Sequence, residues 1–291
     1  MHNRILKIGI IGAENSHTTA IAQIINVDKL IKGFYVDYVW GENDDAAAKA
    51  AEAGRIPNIV KDTKDMLGKI DALVVDHRHA QFHLKPAIPF ITERIPTFID
   101  KPFCYRVAEG KNFLNTARKY KTPVTSFSII PDQSSFKQFC KSLSNAGQIL
   151  SGGSYGPCDI NSQYGGIFFY GVHQVELLLK AYGYNVTKVG MIQNCNGSTG
   201  HLIYDDGKII TMNFIREGTH TFGIHALGTK QFIYKTLVWD KAQYLSGIRR
   251  FTDMFRTGQE PESHDHILKP VAILEALEKA VKSGNLEVIE S

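Results

Sequence analysis

The feature that most limits the fold is an alternation running through the first 128 residues. Short apolar, β-branched runs at 5–11, 34–40, 58–60, 71–75, 97–99 and 124–127 read as strands. Strands covered by helices on both faces have no solvent side, so they read as continuous apolar runs. The segments between them read as helices at 16–26, 44–53, 63–67, 81–93 and 107–120. In the first of these, Ala20, Ile21, Ile24 and Ile25 share one side. Asp62 stands where an N-cap belongs, Gly54 closes the second helix, and Pro86 and Pro89 bend the fourth. Strands alternating with helices predict an α/β fold with a doubly wound parallel sheet.

The pattern changes after Pro131. A helix at 133–143 and one ending at Tyr182 precede strand-like runs at 186–193, 200–204, 209–215, 220–226 and 230–237. Asp205-Asp206-Gly207 is a hairpin turn between two of them. Helices at 241–256 and 266–283 and a strand at 286–289 close the chain. The expectation is an N-terminal Rossmann domain over 1–128 and a C-terminal α+β domain over 129–291 with an open antiparallel sheet. The closing helix 266–283 is expected to pack back on the first domain. The second domain is expected to take substrate and to assemble a homodimer or homotetramer through its sheet, whose outer face needs cover if apolar.

Composition narrows the function. A net charge of +4 is spread with no basic run longer than Arg249-Arg250, which argues against a nucleic-acid partner. No apolar stretch reaches the length of a membrane span. Met1-His2-Asn3-Arg4 runs straight into a strand, without a cleavage site for a signal peptide. Cys104, Cys140, Cys158 and Cys195 form no C-x-x-C pair, so a cytoplasmic protein with reduced thiols is expected.

Candidate chemistry gathers where strands end. In open α/β sheets ligands bind at the carboxyl edge. The first strand runs into Gly12-Ala13-Glu14-Asn15-Ser16-His17 and a helix, and free N–H groups at such a turn suit an anion. A dinucleotide fingerprint has three glycines, whereas here Glu14 and His17 replace the second and third. Glu14 must therefore point away from phosphate, and His17 either covers the phosphates or fills space. Glu42, just after the second strand, is placed for the ribose hydroxyls and leans the cofactor toward NAD, with NADP open. Asp76, His77, Arg78 and His83 follow the fourth strand. His79 and His83 have i, i+4 spacing but no further ligands, so no metal is expected. After the fifth strand stand Asp100-Lys101-Pro102, the proline ending the strand and aiming the lysine.

These residues resemble the Gfo/Idh/MocA family of nicotinamide-dependent oxidoreductases. The resemblance covers nearly the whole chain. It rests on the Gly12 turn, on Asp100-Lys101-Pro102 in place of the family's Glu-Lys-Pro, and on Gly171-Val172-His173 opening a helix in the second domain. His83 and the closing helix, with Glu275-Ala276-Leu277 before Ser283-Gly284, match as well. The resemblance implies that Lys101 and His173 are catalytic. The family's aspartate, four residues before the histidine, is Phe169 here. Tyr164 and Tyr170 are candidates for binding substrate.

The expected activity is hydride transfer between NAD or NADP and a sugar, polyol or related small hydroxy compound. His173 suits a base near neutral pH, and Lys101 can polarise the same oxygen. Phe169 and the altered glycine turn keep a second expectation open: a cofactor- or ligand-sensing protein that retains the fold without the chemistry.

Overall fold

A computed structural model describes residues 4–193 and 197–290. Met1, His2, Asn3 and Cys195 lie outside the described residues. The chain divides into two compact units. Unit 1 is Met1–Cys104, Ala108–Phe127 and Tyr244–Ile267; unit 2 is Tyr105–Val107, Ser128–Gln243 and Leu268–Ser291.

Unit 1 is built on six parallel strands: β1 (Leu6–Ile11), β2 (Phe34–Trp40), β3 (Asn58–Ile59), β4 (Ala72–Val75), β5 (Thr97–Ile99) and β6 (Val124–Thr125). Their order is β3-β2-β1-β4-β5-β6. This is the dinucleotide-binding order, and it reverses between β1 and β4, where a ligand crevice opens. Ile8, Ile10, Val36, Val39 and Val74 are fully buried, as strands covered on both faces require.

The connecting helices are α1 (Ser16–Ala22), α2 (Asp44–Gly54), α3 (Leu84–Thr92) and α4 (Val107–Tyr120). A π turn (Gln23–Val27) follows α1, and a 3₁₀ turn (Ala80–Phe82) precedes α3. Gly54 is the last residue of α2 rather than the residue beyond it. The left-handed position falls on Arg55, at φ 50°. Gly54 is needed for a different reason: a Cβ there would lie 2.4 Å from the Ala22 Cβ.

Unit 2 carries α5 (Ser134–Ser142), β7 (Ile149–Pro157), α6 (Ile167–Tyr182), β8 (Val186–Gln193), β9 (Gly197–Tyr204), β10 (Ile209–Ile215), β11 (Gly223–Gly228) and β12 (Phe232–Thr236). Two helices follow, α7 (Leu245–Thr257) in unit 1 and α8 (His264–Ser283), and then β13 (Glu287–Val288). The sheet order is β12-β11-β7-β10-β9-β8-β13. It is mixed, not purely antiparallel, because β7 and β10 run parallel.

The closing helices also differ from expectation. Ile248, Phe251, Met254 and Phe255 of α7 join the unit 1 core, with Phe251 stacked on Phe98 at 4.6 Å. From Leu268 onward α8 belongs to unit 2, where a Cβ at Gly171 would meet Leu274 at 3.3 Å. The longer apolar stripe of α8 thus covers the mixed sheet's side of the chain, and α7 serves the parallel sheet. Among the described residues no helix is long and apolar enough to cross a membrane.

Candidate active site

Gly12 sets the geometry at the end of β1. Its φ is +108°, and a Cβ there would lie 2.6 Å from the Asp76 carbonyl carbon and 2.8 Å from His77 N. The turn is therefore pressed backbone against backbone onto the end of β4. Only a residue without a side chain permits that.

Beneath this turn lies a buried polar cluster. Asn15 precedes α1 but does not cap it with its side chain. Its Nδ2 instead donates to Asp76 Oδ1 at 2.7 Å and to Asp100 Oδ2 at 3.2 Å. Thr18 Oγ1 lies 2.8 Å from Gly12 O and 2.6 Å from Asp76 Oδ2. His17 Nδ1 is 3.1 Å from Asp100 Oδ1, and Lys101 Nζ is 3.6 Å from Asp100 Oδ2. His17 is thus turned inward, with Tyr244 against its ring at 5.3 Å.

Burial of Asp76, with the Asp100 charge beside it, pushes its carboxyl up to about 8. Burial acts the same way on Asp100, but His17 and Lys101 outweigh it and hold Asp100 well below the usual carboxylate range. Burial alone would lower His17; Asp100 reverses this and raises it. His17, Asp76 and Asp100 offer atoms within 4.8 Å of one another. The Lys101 ammonium adds a positive charge beside Asp100.

Glu42 leans onto the same turn. Its Oε2 accepts from Ala13 N at 2.8 Å and Glu14 N at 3.1 Å, and its Oε1 is 2.9 Å from His77 Nδ1. Burial works against the charge, but His77 and the Ala13 N–H bring the carboxyl down to about 2. Asn43 Nδ2 donates to Glu14 Oε1 at 3.2 Å, and Glu14 is exposed.

His83 is the candidate cofactor neighbour in the segment between β4 and α3. It is fully buried. Its Nδ1 is 3.0 Å from Pro102 O and its Nε2 2.8 Å from His77 O, so it ties the loop after β4 to the segment after β5. Burial pushes it down to about 4, so the ring is neutral at pH 7. His79 accepts from Gln81 N at 3.2 Å and caps the 3₁₀ turn. The i, i+4 histidines are therefore committed to separate local tasks. The Lys101–Pro102 peptide bond is cis, and Lys101 is buried.

In unit 2, His173 sits buried on α6. Ser128 Oγ is 2.8 Å from its Nδ1. Ser128 is itself fixed: its N donates to Glu176 Oε2 at 2.8 Å, and its Oγ accepts from Ile130 N at 3.2 Å. Sequence reasoning missed Ser128, because nothing marks a lone serine 45 residues before the histidine. Phe169, where the resemblance has an aspartate, packs at 4.9 Å from Tyr164 and 5.0 Å from Tyr170. Tyr170 meets His173 edge-on at 5.6 Å, and Phe222 meets it at 5.9 Å. A cavity of about 350 Å³ in unit 2, lined by Cys158, Asp159, Gln193 and Arg216 among others, includes none of these residues.

Residues 6–127 match the model of an oxidoreductase family with an NAD-binding Rossmann fold, Gfo/Idh/MocA. No curated protein sequence matches the chain significantly. Solved structures share the fold over almost the full length. Apo scyllo-inositol dehydrogenase from Lactobacillus casei is 14% identical, with a TM-score of 0.87 and all of both chains covered. Myo-inositol 2-dehydrogenase from Lactobacillus plantarum is 16% identical, with a TM-score of 0.86, covering 99% of this chain and 100% of that one. A probable dehydrogenase from Thermotoga maritima is 16% identical, with a TM-score of 0.83, covering 98% and 99%. At such identities the likeness establishes a common fold. Residues 6–127, with their 3-2-1-4-5-6 sheet and Gly12 turn, are therefore similar to the NAD-binding Rossmann domain of the Gfo/Idh/MocA oxidoreductase family.

Proposed function

We propose that the protein is an NAD(P)-dependent oxidoreductase that transfers hydride between a nicotinamide cofactor and a hydroxyl-bearing carbon of a sugar or polyol. The observation that carries this reading is the family match over residues 6–127. Cyclic polyols are the first substrates to test, because one fold relative was crystallised with bound NAD(H) and scyllo-inositol and another with NAD(H) and myo-inositol.

The turn fits a dinucleotide. Gly12 lets the turn press onto the end of β4, and the turn stands where the strand order reverses. The cofactor's neighbours are residues 12–17, Glu42, Asp76, His77, Arg78 and Asp100-Lys101-Pro102, with His83 bracing the loops behind them. Glu42 is ionised and adjoins the turn, which suits ribose hydroxyls and disfavours a 2′-phosphate, so NAD is preferred over NADP. Unit 1 then binds cofactor, and unit 2 binds substrate.

A bound nicotinamide supplies the hydride acceptor or donor. The protein's part is the proton. When hydride leaves an alcohol carbon, the hydroxyl proton must leave as well, to a base within hydrogen-bond reach. His173 is that base. With Nδ1 donating to Ser128 Oγ, the lone pair lies on Nε2. Ser128 thus replaces the missing aspartate as the group that orients the imidazole. Lys101 is the second catalytic residue of this reading, and Tyr164 and Tyr170 hold other substrate hydroxyls.

A cytoplasmic homodimer or homotetramer completes the proposal. Ile209, Leu227, Phe232 and Tyr234 of the mixed sheet are each about half exposed, which leaves apolar area for a second copy to cover. Light scattering should report an oligomer, and a monomer at working concentration contradicts this part.

Two observations favour the sensing alternative: Glu42 occupies the Ala13 and Glu14 N–H groups, and Phe169 removes an acid. Calorimetric titration with NADH and NADPH, followed by a polyol panel, separates the readings. Binding with turnover supports the enzyme, binding without turnover on any polyol supports the sensor, and no binding of either nucleotide removes both.

A further inference from the structure

Thr18 presents a proton-counting problem. Its single hydroxyl lies 2.8 Å from Gly12 O and 2.6 Å from Asp76 Oδ2. A threonine hydroxyl has one proton to give, and a carbonyl oxygen only accepts. An ionised carboxylate only accepts too. With Asp76 ionised, one of these contacts has no proton in it. Thr18 Oγ1 is the donor placed on Gly12 O. Both contacts are satisfied when Asp76 Oδ2 bears a proton and gives it to Thr18 Oγ1, while Thr18 gives its own to Gly12 O.

We infer that Asp76 is a neutral carboxylic acid in the resting protein and a positioning residue that holds the Gly12 turn through Thr18. The other end of its carboxyl agrees. Oδ1 accepts from Asn15 Nδ2 at 2.7 Å, as the carbonyl oxygen of an acid does. The same amide reaches Asp100, which keeps its charge beside Lys101 and His17. Burial and the Asp100 charge both favour the proton on Asp76, placing its titration at about 8.

The titratable groups facing Asp76 are His17 from α1 and Asp100 and Lys101 from the end of β5. With Asp76 neutral, the one carboxylate charge of this cluster, on Asp100, faces Lys101 and His17. Ionising Asp76 sets a second negative charge beneath the turn. On the reading that this turn holds the dinucleotide, that charge repels the cofactor's phosphates, so affinity falls as pH rises through about 8.

The test is infrared spectroscopy of the full chain carrying aspartate labelled with ¹³C at its carboxyl. Asp76→Asn is the control, since asparagine keeps a donor for Thr18 and an acceptor for Asn15. We expect wild type at neutral pH to show a label-shifted carboxylic-acid C=O stretch that fades through about pH 8 and is missing from Asp76→Asn. Thr18→Val should move the band to the higher frequency of an acid with no hydrogen-bond acceptor, an independent check if Asp76→Asn folds poorly. The folded protein holds a proton that the unfolded chain releases near 3.8, so wild-type stability should fall relative to Asp76→Asn as pH rises from 3.8 to about 8. NADH affinity should weaken several-fold in wild type between about pH 6 and about pH 9 and stay level in Asp76→Asn. No acid band in folded wild type at neutral pH, or a band that survives in Asp76→Asn, overturns the assignment. An acid band without NADH binding at any pH leaves the assignment standing and removes the cofactor reading. NADH binding without the band does the reverse.

Discussion

Lys101→Met should cost about a thousand-fold in kcat while leaving NADH affinity within a few-fold of wild type. The two side chains are of similar length, so the buried stem keeps its packing. What is lost is the ammonium that lies 3.6 Å from Asp100 and, in the proposed reaction, is the second catalytic group. Removing one partner of a buried ion pair also leaves Asp100 less compensated, though His17 and Asn15 remain. Some stability should therefore be lost, and circular dichroism checks that the variant is folded. Steady-state rates with NAD and a cyclic polyol, set beside NADH titration, give the result. Undiminished turnover would mean that Lys101 is not part of the chemistry. Equal losses of turnover and cofactor affinity would mean that its role is structural.

Gly12→Val should be the most damaging single change in unit 1. Its φ of +108° is one that side-chain-bearing residues rarely adopt, and strain of this kind costs about 1–3 kcal/mol. The added Cβ also meets the Asp76 backbone at 2.6 Å, and backbone cannot rotate away as a side chain could. Overpacking adds about 1–3 kcal/mol, for a total of about 2–6 kcal/mol. Thermal unfolding should fall by roughly 4–24 °C for a protein of this size. NADH binding should disappear even where the variant stays folded, because the turn moves off the end of β4. A wild-type melting curve would show that the close approach at Gly12 is not needed.

The parallel sheet was legible because burial on both faces forces every strand to be apolar. β2 and β5 match their expected limits, and the other four strands end within two residues of theirs. β7 was not legible. Its glycines make it look like a loop, yet they are there because neighbours fill the space that side chains would occupy. A Cβ at Gly152 would lie 2.4 Å from the Tyr182 hydroxyl, and one at Gly156 would lie 2.4 Å from Phe222. Missing that strand hid the parallel β7–β10 pair and made the sheet look wholly antiparallel.

The same division holds at the site. Asp100-Lys101-Pro102 and Gly12 could be read because a strand end and a turn announce them locally. The roles of Thr18 and Asn15 depend on partners 58 to 85 residues away, and Ser128 reaches His173 across 45. Glu42 follows β2, but its grip on the Ala13 and Glu14 N–H groups depends on a turn of the side chain that spacing does not encode.

Deuterium transfer tests the central claim most directly. The protein is incubated with NAD and myo- or scyllo-inositol deuterated at every ring carbon, and the recovered nicotinamide is analysed by mass spectrometry. The account predicts one deuterium at the nicotinamide C4, at a rate lost in Lys101→Met. Tight NADH binding with no deuterium at C4 from these or any other deuterated polyol or sugar would contradict it.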